Sequence, residues 1–256
     1  MIPKKIHYCW YGGKELPELA QFCIESWKKY CPDYEIIRWD ESNTDLQEND
    51  YIREAFEAKK WAFITDYVRL NVLYKYGGVY MDTDVELLQG LDSFLNYDAF
   101  SGFENNTQIP TGIMAAQAGH PFFGQLLSYY VDRHFLLEDG SFDVTTNVQI
   151  ITDIALNNGF VPNNSFQQVC GMAFFPRDYF CPKDHSTGKV NLTENSVCIH
   201  HFDGSWHSDI EKKLIKKEQH FVAHYGNVRG EFLFKIYKYL THPKLLFQRI
   251  TKKHAK

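Results

Sequence analysis

Tyr76-Gly-Gly-Val-Tyr-Met-Asp-Thr-Asp84 is the stretch on which the fold is read. Ahead of it, over residues 62–76, Phe63, Leu70, Leu73 and Tyr76, with Val72 nearby, recur at the spacing of one helix. Gly77-Gly78 suits the C-cap and turn that end such a helix. Val79-Tyr80-Met81 then reads as a short buried strand, and its end delivers Asp82 and Asp84. Carboxylates at a strand end sit where open α/β sheets hold ligands. Upstream, residues 5–9 follow a proline and read as a strand entering a tight loop at Gly12-Gly13. Pro17 opens a helical stretch to about residue 29, Pro32 lies just past its end, and residues 34–39 form a second strand. That β-loop-α-β opening predicts an α/β fold. Downstream, strands are expected at 99–103, 112–116 and 196–201, and helices at 120–132 and 148–157.

The chain has 256 residues, of which 44% are hydrophobic and 23% charged. This composition excludes a largely disordered chain, and the length allows a core that needs no staples. Aromatics at 16% are compatible with stacking on bases or sugar rings. A net charge of −5 argues against nucleic acid as a partner. No run of 18 apolar residues predicts a membrane-spanning helix, and the start lacks a secretory h-region, so a cytoplasmic placement is expected. Cys9, Cys23, Cys31, Cys170, Cys181 and Cys198 include no CxxC pair and are expected as reduced thiols.

The composition shifts only at the end. Residues 229–256 carry eight Lys or Arg and one acid, Glu231, a tail of +7, while residues 1–228 hold 19 basic and 31 acidic side chains, a body of −12. The expected division is one catalytic domain over 1–228 and a basic tail over 229–256. In the tail, Leu233, Phe234, Ile236, Tyr237 and Leu240, then Leu245, Leu246, Phe247 and Ile250 beyond Pro243, interleave with six basic residues between Lys235 and Lys253. Short amphipathic helices resting on the anionic inner face of the plasma membrane fit this pattern, as does an apolar face packed on the domain.

Two carboxylates two residues apart can share a divalent cation if the strand breaks into a turn, as hard oxygen ligands for Mn²⁺ or Mg²⁺. An isolated Asp-x-Asp is more often a solvated turn. Asp66 and Arg69 are neighbours on one helical face, where such a pair is commonly a surface salt bridge of little energetic weight. His200-His201 ends a strand, and imidazole is a common metal ligand as well as a common structural side chain.

Four blocks in order, Ile2-Pro-Lys-Lys-Ile-His-Tyr-Cys-Trp-Tyr-Gly-Gly13, Ala62-Phe-Ile-Thr-Asp-Tyr-Val-Arg69, Tyr76 to Asp84, and His201-Phe-Asp-Gly-Ser-Trp206, resemble the DXD-containing sugar transferases. That group takes in bacterial capsule and glycan enzymes, yeast mannosyltransferases and, more distantly, glucosylating clostridial toxins. The resemblance implies a GT-A fold, a nucleotide-sugar donor, a divalent metal and retention of anomeric configuration. It implies that Trp10, with Tyr11 beside it, stacks on the donor base. Thr65, Asp66 and Arg69 fall where donor ribose and sugar are held, and Asp82, Asp84 and His201 where the metal is. Gly204, Ser205 and Trp206 match a loop closing over the diphosphate. Where the family often has Thr-Gly-Pro this chain reads Thr146-Asn147-Val148, so Asn147 and Gln149 stand as acceptor-side candidates.

The resulting expectation is a retaining, metal-dependent hexosyltransferase. Its donor would be a UDP-hexose (galactose or glucose) in preference to a GDP-sugar, and its acceptor a glycan, including a lipid-linked one, in bacterial-type surface polysaccharide or glycoprotein synthesis. Two rivals remain open on sequence. Asp82-Thr-Asp-Val85 after an apolar strand also fits the nucleophile loop of haloacid dehalogenase-type phosphatases, although no later GDxxxD motif follows. A glycan-binding protein of the same fold without catalysis is the other.

Overall fold

The computed structural model describes residues 1–205 and 207–242. The calls made on Trp206 and on the tail beyond residue 242 fall outside the described residues. The chain forms two compact units, one of residues 1–182 and 192–201, the other of residues 183–191 and 202–256. The break therefore falls near residue 202 rather than at 229.

The first unit is built on a sheet whose early strands follow the expected β-α-β opening. β1 (Lys5–Cys9) is followed by α1 (Glu18–Tyr30), β2 (Glu35–Trp39), α2 (Asp50–Glu57), α3 (Trp61–Tyr76), β3 (Gly78–Met81) and β4 (Val85–Leu87). β5 (Ala99–Gly102), β6 (Ile113–Ala116), α4 (Pro121–Ser128), α5 (Asn147–Asn157), β7 (Gln167–Val169), β8 (Met172–Phe175), α6 (Arg177–Phe180) and β9 (Cys198–His200) complete it. The seven-stranded sheet runs β2-β1-β3-β6-β5-β8-β7, and β4 pairs with β9 in a separate two-stranded ribbon. β2, β1, β3, β5 and β8 point the same way, with β6 and β7 antiparallel to their neighbours. The ends of β1, β3, β5 and β8 consequently share one edge with the residues that lead into β6. Trp10, Asp82, Glu104, Thr111 and Gly112 all emerge there.

Alternation along the strands fills both faces. Tyr80, Met114, Met172 and Phe174 go to the face carrying Ile64, Val68, Leu70 and Leu73 of α3. Val79, Met81, Ile113, Ala115 and Phe175 go to the face carrying Ile24 and Trp27 of α1. A strand buried on both sides reads as a continuous apolar run, which is why Val79-Tyr80-Met81 shows no polar alternation. α1 also fixes the strand beyond the carboxylates. The indole N–H of buried Trp27 donates to Val85 O at 2.6 Å, and Ser26 Oγ accepts from Leu87 N at 2.9 Å.

The second unit holds α7 (Asp209–Tyr225) and α8 (Asn227–Thr241). Ser208 caps α7 reciprocally with Glu211, a capping box that satisfies two N-terminal donors. Gly226 adopts φ 77° between the helices, a left-handed value that glycine meets without strain. The chain folds back so closely that a Cβ on Gly230 would lie 2.5 Å from Val222 Cα. Among the described residues no helix is long and apolar enough to cross a membrane.

Candidate active site

The strand β3 ends in a turn, Val85 N donating to Asp82 O at 3.0 Å, so Asp82 and Asp84 do not alternate as strand residues would. They converge. One ligand atom from each of Asp82, Asp84 and His200 lies within 4.8 Å of the others. Two hard carboxylate oxygens and one imidazole nitrogen form a donor set that fits Mn²⁺ or Mg²⁺.

The histidine in this group is His200, not His201 as the motif suggested. β9 pairs antiparallel with β4 in the register Val85↔His200, so His200 shares the buried face of Val85 and His201 falls on the face of Glu86. His200 Nε2 is 3.4 Å from Asp84 Oδ1, whereas His201 Nε2 is 2.9 Å from Glu86 Oε2. Burial opposes a charge on His200, but the Asp84 carboxylate outweighs it and holds the imidazole well above its ordinary range. Gly112 lies under the ring, and a Cβ there would come within 2.7 Å of His200 Nδ1. Gly112 O also receives the N–H of Asp82 at 2.8 Å.

Behind the carboxylates is Arg69, 5% exposed, reaching down from α3. Its Nη1 donates to Thr111 O at 2.7 Å and lies 3.2 Å from Asp82 Oδ1, and its Nη2 lies 3.3 Å from Asp66 Oδ1. Nε donates to Thr65 O at 3.3 Å, and the guanidinium sits over the Tyr80 ring at 4.8 Å. Tyr80 OH in turn donates to Asp82 Oδ1 at 2.9 Å. Each guanidinium nitrogen thus has a protein acceptor, so Arg69 holds Asp82 and Asp66 in place and is not a surface pair.

Burial pushes the Asp66 carboxyl up to about 6, although Arg69 and the Asn147 N–H pull it down. Asn147 opens α5 beside it. Its N–H donates to Asp66 Oδ2 at 3.3 Å, its side-chain amide to Asp66 O at 2.6 Å, and its Oδ1 accepts from Tyr130 OH. Asn147 is therefore a support for Asp66. Gln149 is exposed and its amide donates to Asp153 Oδ1 in its own helix at 2.7 Å.

The remaining sequence candidates sit as follows. Trp10 is half-buried at the same edge, its indole N–H donating to Lys14 O at 2.6 Å. Tyr11 is buried, its hydroxyl 2.7 Å from Thr44 Oγ1, which makes it core. Thr65 Oγ1 bonds back to Trp61 O at 3.1 Å within α3. Gly204 and Ser205 belong to the second unit, where His207 N donates to Gly204 O at 2.9 Å. Sequence reasoning passed over Glu104, two residues past β5. Burial and the Asp82 charge raise its carboxyl, with His200 and Arg177 opposing. Its place at the shared strand edge was the available signal.

Residues 17–101 match the family described as glycosyltransferase sugar-binding region containing DXD motif. The chain carries that region on a mixed α/β arrangement with a mostly parallel sheet. Over 130 residues it is 35% identical to inositol phosphoceramide mannosyltransferase 3 of Schizosaccharomyces pombe, covering 49% of this chain and 36% of that protein. Over 254 residues it is 25% identical to mannosyl phosphorylinositol ceramide synthase SUR1 of Saccharomyces cerevisiae, covering 91% and 61%. The chain thus spans about a third to three fifths of the length of these relatives. Among solved structures it is similar to PaToxG glycosyltransferase, with TM-score 0.45, 20% identity and coverage of 61% and 70%. The galactosyltransferase LgtC gives TM-score 0.46, 12% identity and coverage of 83% and 95%.

Proposed function

We propose that this chain is a metal-dependent glycosyltransferase that moves a hexose from a nucleoside diphosphate sugar to a hydroxyl of a glycan or glycolipid acceptor. The observation that carries the proposal is the turn that gathers Asp82, Asp84 and His200 within 4.8 Å over a fully braced Arg69. A solvated Asp-x-Asp turn needs no buried arginine beneath it.

Departure of a diphosphate from an anomeric carbon builds negative charge on the leaving group, which a divalent cation held by Asp82, Asp84 and His200 would neutralise when bound. The chain's own contribution is positional. Arg69 and Tyr80 fix the Asp82 carboxylate, Gly112 leaves room for His200, and Asp66 offers an acceptor for sugar hydroxyls once ionised above about 6. Half-buried Trp10 supplies an aromatic face at the same edge for the base. Retention is what the family resemblance implies, and with no side chain in the set standing as a covalent nucleophile it would proceed by same-face attack of the acceptor. A cytoplasmic setting belongs to the same proposal.

The sequence reading favoured UDP-galactose or UDP-glucose, and the names of the relatives favour mannose. The test is nucleotide release from a panel of nucleotide sugars with Mn²⁺. One donor should be slowly hydrolysed, and Asp84→Ala or excess chelator should reduce the rate by two to three powers of ten, about 3 to 4 kcal/mol. Full turnover in chelator would sink the assignment, and phosphate release from phosphomonoesters would instead favour the dehalogenase-type reading.

A further inference from the structure

The two compact units carry opposite charge. Residues 183–191 and 202–256 hold 14 Lys or Arg against six Asp or Glu, a net +8, while the other unit holds 13 against 26, a net −13. The chain is acidic as a whole only because one sign outnumbers the other. Within the basic unit, α8 divides its apolar residues between two faces. Gly230 and Phe234 are buried, with Gly230 against the backbone of α7 and Tyr237 5.8 Å from the Phe221 ring. These are the residues for which packing, not a membrane, is the explanation.

Among the described residues the other face has no such partner. Val228, Phe232, Ile236 and Leu240, four residues apart each time, are 85%, 63%, 43% and 78% exposed. At 3.6 residues per turn, steps of four advance about 40° each, so these side chains form one slanting stripe over about 18 Å of helix. Four apolar side chains exposed to this degree at four-residue steps along one face form a contiguous patch rather than scattered surface apolar residues. Arg229 is exposed on the same side and Lys235 is exposed along its margin. From residue 243 onward the sequence adds five Lys or Arg and no acid.

We infer that the exposed face of α8 docks on an anionic lipid surface, with Val228, Phe232, Ile236 and Leu240 entering the headgroup and acyl boundary and the basic residues meeting lipid phosphates. An apolar stripe bordered by Lys and Arg is the pattern of a helix lying in the interface plane. Charge argues for lipid over a second copy of the chain, because pairing this face with itself would set one +8 unit against another, whereas an anionic leaflet attracts it. The proposal goes beyond the transferase reading and does not depend on it.

The test is sedimentation of the full chain with vesicles of phosphatidylcholine alone or of equal parts phosphatidylcholine and phosphatidylserine. Binding should require phosphatidylserine and weaken as salt shortens the Debye length. The double variant Phe232→Ser, Leu240→Ser should lose about tenfold or more in partitioning, since it removes two inserted side chains while leaving the basic residues intact. Its melting temperature should be unchanged, because both positions are exposed. Donor hydrolysis by the variant should equal that of the parent, which separates failure of this proposal from failure of the transferase reading. Equal partitioning of parent and variant, no binding by the parent at low salt, or a dimer in buffer that the double variant abolishes would each overturn it.

Discussion

Replacing Arg69 by alanine tests whether the arginine is a buried brace or a surface partner. The side chain is 5% exposed and serves Thr111 O, Asp82, Asp66 and Thr65 O. Deleting it leaves Asp66 and Asp82 without their cation in a buried setting, a class of change that costs about 3 to 5 kcal/mol. The lower end applies, because Asp66, already raised to about 6 by burial, can take up a proton once its partner is gone. A loss of about 3 kcal/mol in a chain of this size lowers the melting temperature by roughly 6 to 12 °C. Removal of a surface pair would change stability by under about 1 kcal/mol.

The pH dependence supplies a second readout. A carboxyl whose folded pKa lies above its unfolded value binds more protons folded than unfolded between the two, so its contribution to stability declines as pH rises through that window. In Arg69→Ala that window reaches higher pH than in the parent. The gap in melting temperature between parent and variant should therefore widen from pH 5 to pH 7.5, and calorimetry over that range measures it. A shift under about 3 °C at pH 7.5, or a gap that grows toward acid, would refute the buried-brace account.

Two further outcomes are expected. Gly112→Ala should push the His200 ring away from Asp84 and lower Mn²⁺ affinity by about 10- to 100-fold, as loss of ligand support does, and unchanged affinity in a titration would mean the ring has room to move. kcat/KM should rise with pH through about 6 as Asp66 ionises, with Asp66→Asn removing that limb, and a pH-independent parent would dissociate Asp66 from turnover.

What the sequence made legible was local. The cap at Gly77-Gly78 and the apolar run Val79 to Met81 define α3, β3 and the carboxylate turn within two dozen residues, and the opening of the chain follows the same logic. β8 escaped because Met172-Ala-Phe-Phe175 is too short for periodicity to separate strand from helix. α7 escaped although Ser208 and Glu211 spell a capping box. The choice between His200 and His201 was not local at all. It depends on which face of β9 meets β4, and that register is set by a partner over 110 residues away. That Arg69 is buried and bonds Thr111 was illegible for a related reason, since the carbonyl it serves arrives from the loop before β6. In the tail, composition identified the apolar residues of α8 but not which of them α7 covers.

The ribbon of β4 and β9 also orders events during synthesis. Asp82 and Asp84 leave the ribosome 118 and 116 residues ahead of His200, roughly 6 to 23 s at the usual pace of elongation. In that interval β2, β1, β3, β6 and β5 can all pair, while the cluster still lacks its imidazole. A nascent chain therefore offers a cation only two carboxylates, and the complete ligand set appears when β9 pairs with the waiting β4.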